Sequence, residues 1–347
     1  MAPGQPARPV PRWAGSGLAV AAGLAVAACA GSVPNPLGSG PGGPAATPAA
    51  SAGANGAAAG PPAPLTGLPA ASAGQRAIAL ALSGSDPHGL TAADVVYQEF
   101  AAPVRYIAVF QSKQATGVGP LTGTQPTDGQ ALSVLHPLFG YNGGTPVFTK
   151  VLDHTSVTDL GFKTHPSLYA RAPRGVTAST EAVLRAGRAG GAPPQIFYFR
   201  GGATGRSTLA TTGLSRPSAA QVSIPGYGTQ SWTFDSRTGL WTLTSGGPRV
   251  QVANVVVQTV RYKHAVVSHS AGTTVPSARP VGKGPVEVLS GSAGGSGMAA
   301  AGAWSKPHLD QLTDYFDNNG YPMAFQPGPT WVIFAPRGTK VSTSAGQ

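Results

Sequence analysis

Val95-Val96-Tyr97-Gln98-Glu99-Phe100 and, four residues later, Arg105-Tyr106-Ile107-Ala108-Val109-Phe110 are the stretch on which the fold turns. The first run is rich in β-formers and the second alternates in polarity, so each reads as a strand. Only Ala101 to Val104 separate them, a connection short enough for an antiparallel pair. In such a pair Glu99 faces Arg105 across the sheet. A carboxylate opposite a guanidinium is first a structural ion pair and only second an acid/base device.

Upstream, Ala77 to Leu82 reads as a buried strand, order begins near Pro64 to Pro69, and Thr91-Ala92-Ala93-Asp94 forms one capped helical turn. Downstream, Asp128 to Leu138 is expected as a helix capped by Thr127 or Asp128. Phe148 to Leu152 is expected as a short helix, and Ala178 to Ala186 as a clearer one with Glu181 and Arg185 at i,i+4. Past residue 192 strands dominate: Gln195 to Phe199, Ser231 to Asp235, Leu240 to Leu243, Ala253 to Val260, Val286 to Leu289 and Trp331 to Phe334. Ser236-Arg237-Thr238-Gly239 supplies a hairpin turn. Leu309 to Tyr315 suits a short helix. The expected architecture is α+β: a mixed α/β N-terminal domain (64–191), then a mostly antiparallel β-rich C-terminal domain (192–340) and a tail (341–347).

The N-terminus has the layout of an export signal over residues 1–28. Arg8 and Arg12 precede the apolar run Leu18 to Ala28, which is too short to span a bilayer. Val26-Ala27-Ala28-Cys29 resembles the lipobox of bacterial lipoproteins, in which small residues admit a peptidase and the cysteine thiol carries lipid. Several acyl chains on Cys29 would anchor the chain stably to the cell membrane on its extracytoplasmic face. Of residues 30–64, 30 of 35 are Ala, Gly, Pro or Ser, with no charge and no aromatic. Such a segment cannot bury enough surface to offset ordering entropy, so residues 29–63 read as a disordered tether.

Composition narrows the chemistry. One cysteine excludes a disulfide scaffold within the chain and a Cys-rich zinc site. His264 and His269, and the group Asp153, His154 and His165, lack metal-ligand spacing, so no metal and no cofactor are expected. No Gly-x-Ser-x-Gly elbow is present. Of the twelve acids, Asp94, Asp128, Asp235 and Asp317 read as caps or turns and Glu99 and Glu287 lie in strands, so no carboxylate pair is singled out for glycosidase work. Phe199 to Thr208 superficially resembles a strand and phosphate loop, but Arg206 stands where lysine is needed and no amphipathic helix follows, so it reads as a loop. The net charge of +11 is spread without basic runs or interleaved aromatics, so it points to anionic lipid and wall polymer rather than nucleic acid.

Several motifs carry a resemblance. Pro64 to Pro69, Gly89 to Phe100, Arg105 to Ser112 and Val118 to Pro120, followed by Asn254 to Gln258, Gly302 to Lys306 and Asn318 to Pro336, resemble the two consecutive domains of YerB-like bacterial lipoproteins. The resemblance covers most of residues 64–340 and implies two domains of unknown function on a secreted, lipid-anchored chain, with no implied activity. The chain departs from the family at three places. Leu121-Thr122-Gly123-Thr124-Gln125 stands where the family runs Val-Arg-Ser-Ala-Arg. Arg171-Ala172-Pro173-Arg174-Gly175 has an arginine and a glycine in place of a histidine and an asparagine. Gly294 to Met298 replaces an Asp-Gly-Lys turn.

The expected function is a non-enzymatic binding or scaffold module of the cell envelope. Its partners would be membrane lipid through Cys29, and a wall polymer, a polar small molecule or an envelope protein. Candidate pocket residues are Glu99, Arg105, Thr122, Tyr141, Asn142, Arg171 and Arg174. The alternative is a hydrolase-like envelope enzyme, which requires Glu99, Arg171 and one of His136, His154 or His165 to converge.

Overall fold

In the computed structural model the described residues are 60–187, 190–201, 215–268 and 272–345. The export signal, Cys29, most of the tether, residues 202–214 and His269 lie outside them.

Ten strands form one mixed sheet. Their order is Asp314–Asp317, Met298–Lys306, Gly282–Ser290, Asn254–Thr259, Thr330–Ala335, Val95–Glu99, Arg105–Phe110, Ile78–Ser83, Leu138–Gly140 and Thr158–Asp159. The opening pair is antiparallel with Val95 opposite Val109 and Glu99 opposite Arg105. Thr330–Ala335 runs parallel to both Val95–Glu99 and Asn254–Thr259, so strands from both halves of the chain build the centre. All six residues of Thr330–Ala335 are buried, which is why Thr-Trp-Val-Ile-Phe-Ala reads as continuous apolar sequence rather than an alternation.

The two faces of this sheet bury different partners. Val255, Val257, Trp331 and Ile333 pack with Trp232, Trp241 and Leu243 of a second, five-stranded sheet. Trp232 meets Trp331 edge to face at 6.1 Å between centroids. Trp232, Trp241, Trp304 and Trp331 are all fully buried. At roughly 200 Å² and about 25 cal/mol/Å², each contributes about 5 kcal/mol of burial. On the opposite face Ile107, Val109, Val256, Val332 and Phe334 pack with Ala131, Leu132 and Leu135 of a helical segment.

The five-stranded sheet contains the expected hairpin, Gly228–Asp235 with Leu240–Ser245. Gly239 closes its turn at φ 73°, and a Cβ there would lie 2.4 Å from the Ala293 nitrogen. Lys340–Ser344 forms an edge of this sheet against Ala219–Ile224, so residues 341–344, expected in a tail, are a strand. At the other end Ala63, expected in the tether, is fully buried and its N–H donates to the Leu68 carbonyl.

The α+β expectation holds only coarsely. The described chain is mostly β, and the first half has no clear α/β layering. Its α-helices are three seven-residue segments, Pro126–Leu132, Pro146–Leu152 and Thr180–Ala186. The first begins earlier than expected because Pro126 takes its first turn, and Asp128 is its third residue rather than its cap. It ends at Leu132 and passes into a 3-10 turn, Ser133–Leu135. No helix forms at Leu309 to Tyr315. Asp314–Asp317 instead pairs with Gly302 to Ser305, and Tyr315 is buried against the core. Of Gln195 to Phe199 only Tyr198–Phe199 is strand. Among the described residues no helix is long and apolar enough to cross a membrane.

Candidate functional site

The register that sets Glu99 against Arg105 builds a closed ionic cluster. Arg105 Nη1 donates to Glu99 Oε2 at 2.7 Å, and its Nη2 donates to Asp128 Oδ2 at 3.0 Å and to the Gly123 carbonyl at 2.8 Å. The Thr127 hydroxyl binds Glu99 Oε1, which also accepts the Ala278 N–H at 2.9 Å. Burial would lower the Arg105 guanidinium, but Asp128 and Glu99 beside it outweigh that and hold it above its ordinary value. Burial also raises Glu99, against the opposing pull of Arg105. Each oxygen of Glu99 is committed to a protein donor, so this is a structural knot and not an open acid/base site.

The other candidate residues do not join it in one pocket. Thr122 lies beside the knot through Gly123, and its carbonyl accepts the Asn142 N–H at 2.8 Å. The Tyr141 hydroxyl donates to Asp159 Oδ2 at 2.9 Å, and burial raises this phenol further. Arg171 and Arg174 are exposed on a separate hairpin, Tyr169–Ala172 with Gly175–Ala178. The Arg171 guanidinium stacks 5.2 Å from the Phe162 ring centroid. His136 offers its backbone carbonyl to Arg76 and His165 Nδ1 bonds Thr164, while the Glu99 oxygens are held by Arg105, Thr127 and the Ala278 N–H rather than by a histidine. The convergence of Glu99, Arg171 and a histidine is not present among the described residues. Nor do the described residues include a group of three His, Cys, Asp or Glu side chains arranged to hold a metal.

A different site emerges on the helical face of the main sheet, between the two halves. Gln258 is the penultimate residue of the central strand Asn254–Thr259, and Lys306 ends Met298–Lys306. Both are buried to within 2% and line a cavity of about 20 Å³ with Tyr97, Gln130 and Tyr315. That volume holds one water. Gln258 Oε1 accepts the Tyr315 hydroxyl at 2.9 Å, whereas its buried Nε2 has no hydrogen-bond partner among the described residues. Burial lowers the Lys306 ammonium to about 8, against the opposing field of Asp310. The cavity shares Ile196, Phe197, Thr313 and Tyr315 with a largely apolar groove of about 240 Å³. The groove is walled by aromatics: the Phe197 ring is tilted against Phe325 with centroids 4.6 Å apart.

An apolar groove that shares a wall with a small polar cavity suits a ligand with an apolar body and one hydrogen-bond-accepting atom that takes the place of a water in that cavity. Gln258 supplies amide hydrogens and Lys306 supplies an ammonium or, once deprotonated, an amine. The sequence did carry a signal. Gln258 shares a strand face with Val256, and Lys306 with Trp304, so period two places both polar residues on the buried side.

The comparisons follow this division of the chain. Residues 65–184 match the family model described as protein of unknown function (DUF3048) N-terminal domain. Residues 221–332 match that of the DUF3048 C-terminal domain. The crystal structure of YerB protein from Bacillus subtilis is similar at a TM-score of 0.62 with 18% sequence identity, over 81% of this chain and 99% of that one. No curated protein matches the chain.

Proposed function

Since the chain belongs to the DUF3048 family, with both of its consecutive domains, we propose that it is a lipid-anchored, extracytoplasmic binding module of the cell envelope. Its ligand enters the apolar groove and places a hydrogen-bond-accepting end between Gln258 and Lys306. The observation that carries this reading is the Nε2 of Gln258, a buried donor with no partner among the described residues, whose desolvation costs about 1–3 kcal/mol unless something accepts from it. The site is built from the first half (Tyr97, Gln130), the connecting segment (Phe197) and the second half (Gln258, Lys306), so a ligand there bridges both domains.

Attachment rests on the lipobox-like Val26 to Cys29, and the Ala/Gly/Pro-rich stretch behind it serves as the tether to the outer leaflet. The module works by binding rather than by turnover. The Glu99 carboxylate is committed to its own scaffold, which supports this over a hydrolase.

The test is thermal unfolding of the full chain against a panel of envelope-derived amphiphiles and polar small molecules. A ligand of the folded state raises the midpoint. The rise should disappear in Gln258→Leu and in Lys306→Met, and survive in Arg171→Ala. A rise that depends on Arg171 and not on Gln258 would move the site to the exposed hairpin.

A further inference from the structure

Two parallel central strands of the main sheet end side by side. Thr259 is in register with Ala335, and the Val260 N–H donates to the Ala335 carbonyl at 2.8 Å. Two residues beyond each strand end stands an arginine, Arg261 and Arg337. Arg261 begins the hairpin Arg261–Ser268 with Thr273–Arg279, in which it is directly opposite Arg279. Lys283 follows four residues later at the start of Gly282–Ser290. All four cations line one groove of about 340 Å³, which adjoins the Gln258 cavity across Pro280 and Lys306 but shares no lining residue with it. None of them makes an ion pair with an acid among the described residues.

This arrangement opposes itself. Like charges directly across an antiparallel pair have Cβ atoms about 5 Å apart and destabilise the sheet. Arg279 adds a second cost, because its Nε is buried without a hydrogen-bond partner among the described residues. Four cations gathered at one end of the main sheet, with no acidic residue among the described residues that line the groove, are satisfied by an anion. The guanidinium fork matches phosphate oxygens in pairs, while a lysine adds a point charge.

We propose that this groove binds the phosphate groups of a soluble phosphodiester chain, as a second site independent of the Gln258–Lys306 pocket. A narrow chain can enter the groove and reach Arg279, whereas a flat bilayer meets only the exposed Arg261, Lys283 and Arg337.

The experiment titrates the full chain with a short poly(glycerol phosphate), with polyglutamate of equal charge, and with phosphatidylglycerol vesicles. The oligomer is expected to bind in a salt-sensitive manner and to be displaced by inorganic phosphate. Replacing Arg261 and Arg279 together (R261S, R279S) should weaken it by about tenfold or more. Replacing Arg216 and Arg249 (R216S, R249S), the same change in net charge elsewhere, should cost less than about twofold. The single variants R261Q and R337Q, both at exposed side chains, should each weaken binding without lowering the melting midpoint. Equal losses in both double variants, or equal binding of polyglutamate, would reduce the groove to diffuse charge and overturn the proposal. Loss of vesicle binding but not oligomer binding in the Arg261/Arg279 variant would assign the groove to a membrane surface, which also overturns it.

Discussion

Glu99 stands opposite Arg105 in the antiparallel register of the two strands that open the fold, and its Oε2 lies 2.7 Å from Arg105 Nη1. Because Arg105 also bonds Asp128 and the Gly123 carbonyl, one guanidinium ties the sheet to the Pro126–Leu132 helix and to the loop before it. Breaking a buried pair from one side leaves an uncompensated charge, at a cost of about 3–5 kcal/mol. Arg105→Met should therefore lower unfolding stability in denaturant by about 4 kcal/mol. Arg185→Ala, which removes the exposed i,i+4 pair with Glu181, should cost no more than about 0.5 kcal/mol. Similar losses in the two variants would contradict the distinction.

That pairing was legible because its signal is local: two β-rich runs and a four-residue connection. The same is true of the Asp235 to Leu240 hairpin. What the sequence hid is long-range. Nothing local says that Thr330–Ala335 lies between Val95–Glu99 and Asn254–Thr259, since parallel neighbours far apart in sequence share no turn. Leu309 to Tyr315 shows how tertiary pairing overrides a short pattern: the edge of Met298–Lys306 recruits Asp314–Asp317 as a strand. The candidate polar residues failed as a set for a related reason. Loop motifs mark where polar groups occur, but Arg171 and Arg174 extend on their own hairpin while Glu99 and Arg105 turn inward. Gln258 and Lys306 were visible only as polar residues on a core face, a signal weaker than a motif.

Gly302 opens the Gly-Ala-Trp-Ser-Lys motif, and the structure gives it a reason. A Cβ there would sit 1.9 Å from the Phe316 carbonyl oxygen and 2.7 Å from Met323 Cε. Gly302→Ala must push the Asp314–Asp317 strand outward, an overpacking cost of about 1–3 kcal/mol. Because that strand delivers Tyr315 to Gln258, the variant should also weaken any ligand of the cavity. Denaturant unfolding and the ligand-induced thermal shift should fall together. A stable Gly302→Ala protein with full ligand response would separate the motif from the site.

Cys29→Ala tests the attachment. Wild-type chain should remain with membranes after high-salt and carbonate washing, because several acyl chains outlast loss of electrostatic contact. The variant should be released into the wash. Retention of the variant at wild-type levels would assign attachment to something other than a thioether-linked lipid.

Lys306 makes a signed prediction for pH. Its folded value of about 8 lies below the ordinary 10.5, so the unfolded chain binds more protons between those values. Stability contributed through this group therefore rises as pH increases from about 8 towards 10.5, and its burial penalty is fully present below 8. The whole effect is on the order of 3 kcal/mol. Buried phenols such as Tyr97 and Tyr315, raised above their ordinary value, act in the opposite direction once the unfolded tyrosines ionise near 10. The measurement is thus a difference: denaturant stability of wild type minus that of Lys306→Met, from pH 7 to 9.5. That difference should become more favourable to wild type as pH rises. A flat difference would mean that Lys306 keeps its proton in the fold and that its ammonium is already satisfied. A ligand with an anionic end would reverse the slope when bound, because it favours the charged form, so repeating the series with ligand reports occupancy at Lys306 directly.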